Sequence, residues 1–284
     1  MKNLMTQQKQ HTTLRLHRSL WAVVLLFAFQ VSWGQNKWDG NNPFGNFTYG
    51  NNWDPNRSDG VTGTWDSSTD LVFDNISNTS QTSVYFNHGA WKTVRSIYYN
   101  SGIPKSFDFN GDGNGFDIHQ KIENYSNYAQ TLTIPLSSKG TELELNPINA
   151  DLGFTANIYN NGDWVKIYGN NGKNITFTNS GVISGFGGFT VEQNSNVYFN
   201  AAQTYTGATN ITAGSITLGI ADAISNSSNL NLNGGTFKTG ATTGYSDTLG
   251  TLRLEAIQAS VWVRETIHSL LLTVMQLLGQ EAPH

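Results

Sequence analysis

Tyr205-Thr-Gly-Ala-Thr-Asn-Ile-Thr-Ala-Gly-Ser-Ile-Thr-Leu-Gly219, followed by Ala221-Asp-Ala-Ile-Ser-Asn-Ser-Ser-Asn-Leu-Asn-Leu-Asn-Gly-Gly-Thr-Phe237, decides the fold. Apolar and polar residues alternate with period two around Ile211, Ile216-Leu218 and Leu230-Leu232, which is the signature of strands with one buried face. Ala213-Gly214 and Gly234-Gly235 interrupt the alternation where a corner needs backbone without a Cβ clash. The inward residues expected here are Ile211, Ile216, Leu218, Leu230, Leu232 and Phe237.

The same texture runs upstream. Leu71–Phe73, Ser83–Phe86, Ser96–Tyr99, Ser106–Phe109, Thr131–Ile134 and Glu142–Leu145 read as strands. So do Val165–Tyr168, Ile175–Thr178, Phe189–Val191, Val197–Phe199, Thr236–Lys238 and Leu252–Leu254. Asn/Gly clusters such as Asn160-Asn-Gly162, Asn170-Asn-Gly172 and Asn194-Ser-Asn196 separate them. Strands this short and this numerous fit either a sandwich or a solenoid. Their length and the recurrence of Asn-ended strands (Tyr85-Phe-Asn87, Tyr98-Tyr-Asn100, Tyr198-Phe-Asn200) favour the solenoid, in which Asn amides of neighbouring turns form ladders.

The segment from Tyr205 to Leu254 resembles the autotransporter-associated β-strand repeat, whose unit reads Y-T-G-x-T-x-I-x-A-G-x-L-x-L-G, then a polar turn, then L-x-L-x-G-G-x-F. The match is closest over 205–254. It is looser at Asn52-Trp-Asp-Pro55 and Asp70-Leu-Val-Phe-Asp74. The resemblance implies an all-β, right-handed parallel β-helix that serves as the passenger of an exported bacterial protein, usually followed by a C-terminal barrel or sorting domain.

Composition agrees with a β-rich exported chain. Of 284 residues, 13% are charged and 29 are glycine, which disfavours a helical bundle. Aromatics at 12% demand a packed core rather than a disordered linker. With no cysteine, thiol catalysis, disulfides and Cys-based metal sites are excluded. A net charge of −4 with no basic stripe argues against nucleic acid, and no glycine-rich phosphate loop supports a nucleotide.

Residues 1–34 read as a signal peptide. Lys2, Lys9, Arg15 and Arg18 form the positive region, Ser19–Val31 the apolar run, and Ser32-Trp-Gly34 the cleavage site before Gln35. Residues 35–255 form the solenoid passenger region. From Ala256 to His284 the texture changes to a Leu-rich, Asn-free tail. In the frame lagging by one base, Trp262-Val263 forces Gly and Met275-Gln276 forces Ala. The surrounding codons allow a Gly/Ser/Asn-rich strand to continue. Residues 256–284 are therefore expected to be a frameshifted end of a truncated passenger, in place of an amphipathic capping helix.

Candidate chemistry is sparse. Asp108-Phe-Asn110-Gly-Asp112-Gly-Asn114 carries the D-x-N-x-D-G opening of a calcium loop, with hard oxygen donors at alternate positions. His119 stands where a bidentate Glu belongs, so a polar turn fits the same residues. Asp54, Asp59, Asp66, Asp70 and Asp74 cluster near Trp53 and Trp65 but are expected to be turn formers, with no His or Arg gathered near them. Trp38, Trp53, Trp65, Trp91 and Trp164 are expected to stack on sugars, cap the solenoid or fill its core. No resident cofactor is expected.

These features point to an exported structural or surface passenger, adhesin-like, without catalysis. Its expected partners are the secretion machinery and surface glycans or other cell-surface ligands. A secreted carbohydrate-binding or carbohydrate-active β-helix is the rival.

Overall fold

A computed structural model describes residues 35–38, 53–54, 65–74, 83–86, 89–169, 172–242 and 244–256. Residues 1–34, expected to be a signal peptide, Asp59, Asn87, His88 and the tail beyond Ala256 lie outside these. Among the described residues the regular structure is entirely β.

The chain winds as a β-solenoid of about eight turns. It opens with β1 (Gln35–Trp38) and β2 (Trp53–Asp54). The next two turns contribute β3 (Asp70–Phe73) and β4 (Ser83–Phe86), then β5 (Lys92–Tyr99) and β6 (Asp108–Gly111). Three turns follow, each with three strands. They are β7 (Phe116–Asn124), β8 (Gln130–Leu132) and β9 (Leu136–Ser138); β10 (Glu142–Pro147), β11 (Leu152–Phe154) and β12 (Ile158–Tyr159); and β13 (Trp164–Ile167), β14 (Asn174–Thr178) and β15 (Ile183–Ser184). The stack continues through β16 (Phe189–Val191), β17 (Asn196–Asn200), β18 (Thr209–Ile211), β19 (Ser215–Leu218), β20 (Leu230–Asn233), β21 (Thr236–Lys238) and β22 (Leu252–Ala256).

One long sheet runs β2-β1-β3-β5-β7-β10-β13-β16-β18-β20-β22, and a second runs β4-β6-β8-β11-β14-β17-β19-β21. A third strip joins the first halves of β5 and β7 to β9, β12 and β15. All these pairings are parallel except that of β1 with β2. Parallel order follows from the winding, because each turn brings the chain back in the same direction one strand higher. A register shift between Val94 and Ser96 bends β5 from the third strip into the long sheet.

The alternation puts one residue type into one column. Leu71, Ile97, Ile122, Leu145, Ile167, Val191, Ile211 and Leu232 occupy successive register positions inside the long sheet, and all are buried. Opposite them, Leu132, Phe154, Phe177, Phe199 and Leu218 line the second sheet. Burying each such side chain contributes about 1.5–3 kcal/mol. The five aliphatic residues expected inside between Ile211 and Leu232 are all buried, while Phe237 in the last turn is only partly so. Gly214 turns its corner at φ 67, where an added Cβ would strike the Ser195 carbonyl oxygen.

Asparagine ladders form, but not where Asn-ended strands suggested. Asn196 Nδ2 donates to Asn174 Oδ1 at 3.3 Å, and Ser215 Oγ donates to Asn196 Oδ1 at 2.9 Å. Asn174 Nδ2 in turn donates to Asp151 Oδ2 at 2.9 Å. A second ladder has Asn231 Nδ2 donating to Asn210 Oδ1 at 2.7 Å. The rungs sit at strand starts and centres, where register persists. Asn100 reaches Asp74 Oδ2 at 3.4 Å, while Asn200 ends its strand exposed.

Candidate functional site: the outward face of the long sheet

The outward residues of the long sheet form columns as regular as the inward ones. Asp70, Ser96, Lys121, Glu144, Lys166, Thr190, Asn210, Asn231 and Arg253 share one register line. Beside it run Tyr98, Glu123 and Asn146. Two positions apart on one strand, neighbouring columns present side chains to the same side, so charges from both converge in a strip.

Lys121 Nζ lies 3.0 Å from Glu123 Oε1 and 5.7 Å from the centre of the Tyr98 ring. Asn146 Nδ2 donates to Glu123 Oε1 at 3.1 Å and to Glu144 Oε2 at 3.3 Å, holding two carboxylates on one amide. Lys166 Nζ lies 2.7 Å from Glu142 Oε2 and 3.7 Å from Glu192 Oε1, and it donates to the Tyr168 hydroxyl at 3.5 Å. Lysine and glutamate thus pair both along strands and between turns.

Protonation follows from these contacts. The hydrogen bond to Glu142 raises Lys166 above the ordinary lysine range, against the opposing effect of its burial. Burial works to lower Lys121, but the hydrogen bond and charge of Glu123 outweigh it and the net shift is upward. Tyr98, Tyr125 and Tyr168 are all raised, chiefly by burial. These shifts keep both lysines charged and all three tyrosines protonated at neutral pH.

The four oxygen-bearing residues of the calcium motif are spread out by strand geometry. Asp108 and Asn110 stand exposed on the extended strand β6, with Phe109 buried between them. Asp112 turns at the strand's end. Its Oδ2 accepts from Gly89 N at 2.7 Å, and its Oδ1 accepts from both Asn114 N and Asn114 Nδ2 at 3.0 Å. Asp112 and Asn114 therefore come together, while Asp108 and Asn110 follow a straight line instead of curling round a centre. Among the described residues no three His, Cys, Asp or Glu side chains are grouped to hold a metal ion.

The N-terminal aspartates need a correction. Asp66 does form a turn, accepting from Ser68 N at 2.8 Å. Asp70, however, is buried in β3 and takes a two-pronged hydrogen bond from Arg95, with Nε to Oδ1 at 2.7 Å and Nη2 to Oδ2. Lys37 reaches Asp74 at 3.4 Å. Basic partners do gather near these acids, but they come from neighbouring turns that sequence proximity does not reveal. Among the tryptophans, Trp38 is buried and Trp65 packs against the core. Trp91 lies against Tyr159 on the outside.

The charged strip itself was not anticipated as a site. Its signal was present in Glu142-Leu-Glu-Leu145 and Val165-Lys-Ile-Tyr168, whose outward residues carry opposite charges one turn apart. Fold and surface together define an all-β parallel solenoid with a self-paired polar exterior. No protein-family model, no curated protein and no solved structure matches the chain.

Proposed function

We propose that this chain is an exported structural passenger of the autotransporter-associated β-strand-repeat kind: a solenoid that presents surface outside the cell and performs no catalysis of its own. A β-solenoid suits such a role, because its length and outer face are set by repetition rather than by a single pocket. The observation that carries the proposal is the outward strip. Lys166 is shared between Glu142 and Glu192, Lys121 is held by Glu123, and Asn146 ties Glu123 to Glu144. Through Lys166 and Asn146 these groups fasten one turn to the next.

Export rests on the leader pattern of residues 1–34. The test is to express the gene in a Gram-negative host, fractionate the cells and sequence the N-terminus of the product. The expected product starts at Gln35 and is recovered outside the cytoplasm, in the periplasmic or medium fraction. A cytoplasmic product starting at Met1 refutes the proposal.

A further inference from the structure

The third strip carries an aromatic corner on its outer surface. Thr93, Asp117, Ser137, Tyr159 and Ser184 share one register line along it. Trp91 stands two residues before Thr93, on the same side of the strand. In the two turns that follow, its line is occupied by Gly115 and then Pro135, as the hydrogen bonds from Lys92 N to Gly115 O and from Phe116 N to Pro135 O show. A glycine and a proline leave a low floor. Over it the indole runs along the solenoid axis to meet Tyr159, although β7 and β9 lie between their strands. The ring centres are 6.2 Å apart and the planes stand at 62°. Two flat walls therefore meet at an open angle, with Trp91 half-buried and Tyr159 40% exposed.

Polar groups of both signs flank the corner. Asp117 and Lys139 form an ion pair at 3.7 Å and remain 24% and 45% exposed. Asn157 Nδ2 donates to the Tyr159 hydroxyl at 3.3 Å, which orients that ring. Asn161 Nδ2 donates to Ser137 Oγ at 2.8 Å. The paired charges cancel, so an anion or a cation gains little here. The apolar area is confined to ring faces separated by hydroxyl and amide groups, which suits neither a lipid surface nor a large apolar protein face.

We infer that the Trp91–Tyr159 corner binds a neutral oligosaccharide. The C–H face of a pyranose lies against the indole, and its hydroxyls donate to Asp117 and accept from Lys139. Successive strands of the strip lie about 4.8 Å apart along the axis, so a glycan laid along it spans several turns. The site does not depend on export and stands apart from the ion-paired strip of the long sheet.

The test is calorimetry of the full chain against soluble cello-, xylo-, manno-, laminari- and chitohexaose. At least one hexasaccharide is expected to bind. Trp91→Ala should weaken that binding tenfold or more and Tyr159→Ala several-fold, while Tyr85→Ala, at an exposed ring of the second sheet, changes nothing. Lys139→Gln, on the surface and harmless to the core, should lower affinity without changing the melting temperature, and it serves as the readout if Trp91→Ala does not fold. Binding by none of the five sugars overturns the inference, as does binding that survives both the Trp91 and the Tyr159 substitutions. Adsorption to phosphatidylcholine vesicles in place of sugar binding overturns it as well.

Discussion

Phe177 lies over Phe154 with ring centres 5.4 Å apart and planes only 18° from parallel, although the two belong to successive turns. Phe199 continues the column at 5.4 Å from Phe177. Truncating the middle ring leaves a cavity that neither neighbour can fill, because each is held by its own strand. Phe177→Ala is expected to lower unfolding free energy by about 3–5 kcal/mol, measured by urea denaturation. Phe186→Ala, at a ring 83% exposed, should leave the transition where it was. Equal effects at the two positions would contradict the stacked interior.

The direction of the asparagine ladder is testable at one atom. Asn196 Nδ2 donates to Gly172 O at 3.0 Å as well as to Asn174 Oδ1. Asn196→Asp turns both contacts into oxygen facing oxygen while keeping side-chain size. A loss of about 1–3 kcal/mol is expected, against little change for the same substitution at the exposed Asn110. Thermal melts of the two variants decide it.

Arg95 and Asp70 form an ion pair whose side chains are 12% and 2% exposed. Arg95→Met strands a buried carboxylate and is expected to cost about 3–5 kcal/mol. Adding Asp70→Leu removes the stranded charge, so the double variant should be more stable than Arg95→Met alone. A double variant as unstable as the sum of the single changes would refute the coupling.

Asp247 supplies a pH signature. Burial raises it above the ordinary aspartate range and the nearby Asp222 adds to the shift, although Ile224 N donates to its Oδ2 at 2.9 Å. The folded state therefore holds this proton more tightly than the unfolded chain does. Its stabilising contribution is complete below the unfolded pKa, about 3.9, and is lost as pH rises through the raised folded value. Wild type is expected to lose stability relative to Asp247→Asn as pH climbs from 3 to 7. A difference that is flat or opposite in sign would show that the carboxyl is not desolvated.

Calcium offers a negative control on the fold. With Asp108 and Asn110 in line on a strand and Asp112 engaged by Gly89 and Asn114, titration with CaCl₂ should release no heat, and EDTA should leave the melting temperature unchanged. A saturable signal abolished by Asp108→Asn would show that the strand end rearranges around the ion.

The interior was legible because it is local: alternation marks Leu143, Leu145, Val165 and Ile167 as inward wherever the turns fall. The third strip was not. Ile158–Tyr159 and Ile183–Ser184 are too short to show any period and read as loop, and only stacking makes strands of them. Partnerships between turns were equally hidden. Arg95 meets Asp70 and Trp91 meets Tyr159 because winding brings distant positions together, and the turns vary in length. Register steps from Val197 to Ile216 in one place and from Phe73 to Tyr99 in another. A fixed period applied to the sequence therefore drifts out of phase and misassigns the outer neighbours while leaving the inward face correct.

Unequal turns joined only to their neighbours also determine how the solenoid responds to pulling. Strands lie across the stack, so tension along its axis loads the hydrogen bonds of the end strand first and leaves the next turn intact until that one opens. Freeing the 22-residue step from Leu230 to Leu252 yields about 75 Å of extended chain, far more than the single strand spacing it occupied. A molecule built this way lengthens in discrete steps under load and dissipates a sudden tug one turn at a time.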